Sequence, residues 1–136
     1  MEFVPDGSLL DMLVEQGPLL EPTAQHILRQ LVEALGYMQE VHNMVHRDLK
    51  PAVSHSISQG HRLICQNILM CDRSEMPRIK LADFGLAKVE CLTSENTICG
   101  TKAYLPPPYN SGVAAQAVGM NWASDSYALG VITYQM

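Results

Sequence analysis

The 136-residue sequence predicts a mainly α-helical domain carrying short β-hairpins. Three observations carry that prediction. One apolar stripe at helical spacing runs through residues 22–43. Short apolar runs at 44–45, 67–70 and 79–82 are too brief for helices and are set apart by polar, turn-forming residues. The final segment, "NWASDSYALGVITYQM", is largely apolar and holds little that would break a helix.

The elements follow in order. "MEFVPDGSLLDMLVEQG" starts extended and turns at "PDG". A short helix then begins at Ser8, which with Asp11 forms an S-x-x-D capping pattern, and Gly17 stops it. Pro22 suits the first turn of a longer helix over residues 22–43. There Ile27, Leu28, Leu31, Leu35 and Met38 share one face, while Arg29, Gln30, Glu33 and Glu40 lie off it. Such a stripe is a core-packing face rather than a ligand box. "NILM" and "IKLA" flank "CDRSEMPR", the pattern of a small hairpin. Residues 90–109 have no consistent period and include three consecutive prolines, so they read as a long loop. The last segment reads as a buried helix cut before its natural cap. No internal repeat or low-complexity tract occurs.

Length allows one domain with one core. A composition 47% apolar and 17% charged is globular, and a net charge of −5 points away from nucleic acid and anionic membrane as partners. Cys65, Cys71, Cys91 and Cys99 show no C-x-x-C spacing, which fits reduced thiols in an intracellular setting, cytoplasmic or nuclear. No apolar run reaches membrane-spanning length. The spacing of His55, His61, Cys65 and Cys71 fits no compact tetrahedral zinc pattern.

Three motifs occur in one order: "HRDLKP" at 46–51, "DFG" at 83–85 and "CGTKAY" at 99–104. One short match is weak; three in order, with suitable elements between them, are strong. Here the chain resembles the C-terminal lobe of eukaryotic protein kinases, and Lys50, two residues after Asp48, resembles the serine/threonine branch. "MEFVPDGSL", "IKLADFGLAK" and "CGTKAYL" are similar to calcium/calmodulin-dependent and checkpoint-type kinases.

The resemblance implies ATP and Mg2+ as cofactors, a protein substrate and an upstream kinase as partners, and phosphoryl transfer by positioning and charge compensation. Asp48 would orient the substrate hydroxyl and accept its proton, and Lys50 would sit against the γ-phosphate. Asp83 and Asn67 would hold magnesium through hard oxygen atoms. Thr101 would brace Asp48 and Lys50. Thr97 matches the activation-loop phosphosite, with Arg47 as its clamp. Glu2 to Val4 match the hinge that receives adenine, with Met1 at the gatekeeper position and Leu69 on the pocket floor. His46 and Phe84 resemble interior packing residues, and Asp125 the aspartate that anchors the catalytic-loop backbone.

Four departures stand against the family pattern. The sequence starts at the hinge, with no glycine-rich loop and no upstream lysine; "PPP" at 106–108 replaces A-P-E; Met136 falls inside the large helix; and residues 53–66 interrupt the catalytic loop. Without those residues the loop reads "HRDLKPANILM", a complete match. Lengthening the loop from about four to about eighteen residues costs only roughly 1–1.5 kcal/mol of closure entropy. Geometry is the sterner constraint, because a shift of about 1 Å at a catalytic group can cost about a hundredfold in rate. Val53-Ser54 can be encoded by a splice-donor string, Leu63-Ile64 by a branch point and Gln66 by an acceptor. Residues 53–66 are therefore expected to be a translated intron, which genomic codons incompatible with those signals would rule out.

The expectation is a truncated C-terminal lobe of a protein serine/threonine kinase, residues 1–136, inactive alone. The alternatives are a non-catalytic kinase-like interaction module and a mis-predicted gene product. A small-molecule phosphotransferase of related fold is disfavoured by "DFGLAK" and "CGTKAY", which belong to a substrate-ordering segment.

Overall fold

A computed structural model describes residues 4, 6–49, 67–84, 88–89 and 122–136. In chain order these form α1 (Leu9–Gln16), α2 (Glu21–His42), β1 (Met44–Val45), β2 (Ile68–Met70), β3 (Ile79–Leu81), β4 (Lys88–Val89) and α3 (Trp122–Gln135).

Helix α1 starts where its sequence says it should. The Asp11 N–H donates to Ser8 Oγ at 3.2 Å, and Asp11 Oδ2 accepts from the Ser8 N–H at 2.9 Å, a reciprocal capping box. Gly7 precedes the cap at φ 76°, and a Cβ there would come within 2.9 Å of Asp11 Oδ2, so both conformation and space require glycine. The Gly7 carbonyl accepts from the Met70 N–H, which ties this turn to β2.

Helix α2 carries Pro22 in its first turn and ends at Asn43, whose left-handed φ of 50° turns the chain directly into β1. Its expected face is inward: Ile27, Leu31 and Met38 are buried, with Leu28 and Leu35 half-buried beside them. Two polar groups of α2 grip the β2–β3 hairpin. Thr23 donates to the Glu75 carbonyl, while the Gln30 amide both donates to the Pro77 carbonyl at 2.8 Å and accepts from the Ile79 N–H at 3.1 Å.

The β2–β3 hairpin is where the sequence places it, in antiparallel register Ile68↔Leu81, Leu69↔Lys80 and Met70↔Ile79. Asp72 organises its turn by accepting from Ser74 and from the Arg78 N–H; these bonds hold its carboxyl below the usual carboxylate value. A second pair, β1 with β4, was not expected: Met44↔Val89 and Val45↔Lys88 are antiparallel partners. A two-residue strand has no period to read, and its partner lies far along the chain.

Helix α3 corrects one expectation. It forms over the apolar C-terminal segment, yet only Ser124, Asp125, Ala128 and Ile132 are buried, while Trp122, Tyr127 and Tyr134 are exposed. Burial at spacings of three and four is one face, not a fully enclosed helix. It runs antiparallel to α2: the Leu19 N–H donates to the Met136 carbonyl at one end, and Gln39 faces Trp122 and Asp125 across a cavity at the other. Leu9, Met12, Ile27, Leu31, Leu49, Ile68, Met70, Ala128 and Ile132 meet in one core, so each helix contributes to it.

Candidate active site

The site is assembled on the segment after β1. His46, Arg47, Asp48 and Leu49 are all buried, an unusual density of charge for an interior. Leu49 is 2% exposed and belongs to the core, which pins the segment from beneath. Asp125, from the first turn of α3, pins it from the side. Its Oδ2 accepts from the His46 N–H at 2.7 Å and its Oδ1 from the Arg47 N–H at 2.9 Å. Burial pushes the Asp125 carboxyl above the usual carboxylate value, against those two bonds, which pull it down. The anchoring role expected of Asp125 is thus present in the geometry.

Arg47 holds φ 68°, a left-handed conformation that costs a long side chain of this kind of order 1 kcal/mol or more. The Asp125 bond to its own N–H helps maintain it. Asp83 is also left-handed, at φ 59°. Strained backbone in both motif segments is the pattern of a functional cluster.

His46 links the segments through its ring. Nε2 lies 3.1 Å from the Ala82 carbonyl, which can only accept, so Nε2 carries the proton. Nδ1 then has the lone pair that accepts from the Asp48 N–H at 3.4 Å. One neutral tautomer satisfies both contacts.

Asn67 completes the arrangement. Its Nδ2 donates to the Asp48 carbonyl and lies 3.4 Å from Asp48 Oδ2, bringing together residues 19 positions apart. The Asn67 carbonyl accepts from the Ala82 N–H at 2.9 Å, one residue before Asp83. Asp48, Asn67 and the start of "DFG" therefore belong to one connected group. With both Asp48 acceptors facing Nδ2, the amide oxygen must point the other way. That Oδ1 is buried and has no hydrogen-bond partner among the described residues.

An orphaned, hard amide oxygen, on a residue that contacts Asp48 and bonds the amide one position before Asp83, is of the donor type magnesium takes. Among the described residues no three His, Cys, Asp or Glu side chains gather as a metal site.

Other expected residues are placed less centrally. His46 is fully buried, but Phe84 is 48% exposed, a correction to its expected interior position; its ring still packs against His46 at 5.3 Å between centroids. Leu69 is half-buried in β2 and bridges Ser8, and Val4 is half-buried. Glu2, Lys50, Thr97 and Thr101, the insertion at 53–66, the prolines 106–108, and His55, His61 and Cys65 lie outside the described residues. Cys71 is a half-buried free thiol. Ala82 escaped sequence reading because it acts through its backbone, which leaves no signature in a side chain.

Comparison with known proteins gives this geometry its family. The model of the protein kinase domain matches residues 1–136. The chain is 34% identical to "Myosin light chain kinase A" of Dictyostelium discoideum, over 98% of this chain and 39% of that protein. It is 34% identical to "Calcium/calmodulin-dependent protein kinase type 1" of Caenorhabditis elegans and 33% identical to the type 1B enzyme of Homo sapiens. In both cases the match covers 98% of this chain and 33% of the relative. The chain thus spans between one third and two fifths of these relatives' length. With a match along its whole length, and with buried Asp48 and Asn67 in contact and joined through Ala82 to the start of "DFG", the chain belongs to the protein kinase domain family.

Proposed function

We propose that this chain is the C-terminal-lobe portion of a protein serine/threonine kinase domain, and that the complete protein transfers the γ-phosphate of ATP to protein Ser/Thr hydroxyls. The observation carrying this is the contact of Asn67 with Asp48, joined through Ala82 to Asp83. Three motif residues widely spaced in sequence occupy one connected group.

Each residue then has a task. Asp48 orients the substrate hydroxyl and takes its proton as the new oxygen–phosphorus bond forms. Asn67 Oδ1 and the Asp83 carboxylate would hold Mg2+, which when bound neutralises charge on the phosphates. Asp125 and the His46 ring keep Asp48 in register through the backbone. By resemblance, Lys50 faces the γ-phosphate, Thr101 braces it, and Glu2, Val4 and Leu69 form the adenine end. Thr97, phosphorylated by an upstream kinase, pairs with Arg47. Residues 53–66 are a translated intron inserted into this loop, and the working kinase lacks them. The half-buried free thiol of Cys71 accords with an intracellular setting.

Phosphoryl transfer in this family also uses a glycine-rich phosphate loop and a lysine upstream of the hinge, which the 136 residues do not include. The test supplies both. Residues 1–136 without 53–66 replace the matching region of the Caenorhabditis elegans relative, and phosphate transfer from ATP to a serine/threonine peptide mixture is followed. Activity should appear and fall by about 100-fold or more in Asp48→Asn. A folded chimaera that transfers no phosphate would instead support the non-catalytic interaction module.

A further inference from the structure

The turn between β2 and β3 carries one side chain that reaches away from its own hairpin. Arg73 Nε donates to the Asp6 carbonyl at 2.9 Å, and Nη1 donates to Glu15 Oε2, in the last turn of α1, at 2.8 Å. Nη2 lies beside Gly7, where an added Cβ would stand 3.5 Å from it. One guanidinium therefore joins three parts of the chain: the β2–β3 turn, the segment before α1 and the end of α1.

An exposed ion pair alone contributes little, and the Glu15 side chain is 62% exposed. The Asp6 bond adds what the ion pair lacks, because it holds backbone rather than a second mobile side chain. A planar fork suits this task. Its nitrogens meet a carbonyl and a carboxylate at once, in fixed directions that a compact ammonium does not match.

Neighbouring bonds show what is being held. The Met70 N–H donates to the Gly7 carbonyl at 2.9 Å, and Ser8 bridges Leu69. These contacts lay residues 7–8 against β2, the strand that begins one residue after Asn67. Thr23 and Gln30 fix the same turn to α2 through Glu75, Pro77 and Ile79, so Arg73 extends from an anchored base.

We propose that Arg73 is a positioning residue for nucleotide binding. By clamping Asp6 and Glu15 to the β2–β3 turn, it sets the spacing between β2 and the segment that follows Val4. This rests on the kinase reading, in which Val4 and Leu69 form the adenine end. Arg73 then governs how tightly ATP is held, while Asp48, secured through Asp125 and His46, keeps its place for transfer.

Hydrogen exchange on the 136-residue chain tests the clamp without nucleotide. Arg73→Met should speed exchange of the Met70 amide about tenfold or more, while the Ile79 amide, bonded to Gln30, keeps its protection. Arg73→Lys keeps the charge without the fork and should restore little of that protection. In the chimaera with the Caenorhabditis elegans relative, Arg73→Met should raise the KM for ATP about tenfold and leave kcat unchanged. Unchanged Met70 exchange in folded Arg73→Met, full protection in Arg73→Lys, or a loss confined to kcat would each overturn the proposal. Should Arg73→Met not fold, Met70 exchange in Arg73→Lys decides it. An unaltered chimaera that transfers no phosphate would overturn the kinase reading instead, and the exchange measurement still decides the clamp.

Discussion

Asp125 shows how one buried carboxylate sets the position of residues far away in sequence. It satisfies two adjacent backbone N–H groups, His46 and Arg47, that would otherwise be buried without partners. Asp125→Ala should therefore cost about 2–6 kcal/mol in urea unfolding, since each of the two orphaned buried donors costs about 1–3 kcal/mol. A loss below about 1 kcal/mol would show that water or another group replaces the carboxylate.

The same residue has a pH signature whose sign is opposite to that of most ion-paired acids. Burial raises its carboxyl in the folded state, so the folded protein holds the proton more tightly than the unfolded chain. Its contribution to stability is fully present below the unfolded carboxylate value and is lost as pH rises through the raised folded value. Unfolding midpoints measured from acid to neutral pH should thus fall more steeply, or rise less, in the unaltered chain than in Asp125→Asn. Parallel pH profiles would contradict that assignment. Comparing the two proteins cancels Asp72, which is lowered and contributes with the reverse sign.

At the scale of elements, caps and inter-element grips decide whether short pieces hold. Helix α1 has only 8 residues, short for an isolated helix, and depends on its capping box and on Leu9 and Met12 in the core. Ser8→Ala removes the side-chain half of that cap and should lower stability by about 1 kcal/mol in chemical denaturation. An unchanged midpoint would mean that packing alone fixes the start of α1. These local devices are legible in the sequence: the S-x-x-D pattern, Pro22 in the first turn, Gly17 past the end, and the apolar stripe of α2 all appear where the letters place them. The β1–β4 pair is not legible, because a two-residue strand carries no alternation to recognise. The extent of burial of α3 was misjudged for a related reason. Its apolar residues occur on every side, so composition cannot say which side meets α2.

For the whole molecule, the question is how the segments on either side of residues 53–66 are held together. Asp48 and Asn67, on either side of them, remain in contact, and Leu49 and Ile68 are both core residues. The two ends are held by packing and hydrogen bonds outside the insertion. Removing residues 53–66 should accordingly leave the fold intact and stabilise it by roughly 1–1.5 kcal/mol through the shorter loop. Chemical denaturation of the deletion variant measures this. A loss above about 2 kcal/mol would mean that inserted residues contribute native contacts exceeding their closure cost.

Sequence by itself determined the helices, the capping box of α1, the β2–β3 hairpin and the order of the kinase motifs. Each of these is written in residues a few positions apart, where backbone preference and periodicity act. Only tertiary structure decided that Asn67 faces Asp48 across the insertion, that Asp125 holds the amides of His46 and Arg47, and that Phe84 stands half-exposed. Those contacts arise from packing distant segments around one core, and no short-range preference encodes which distant group will be there to receive a given proton or charge.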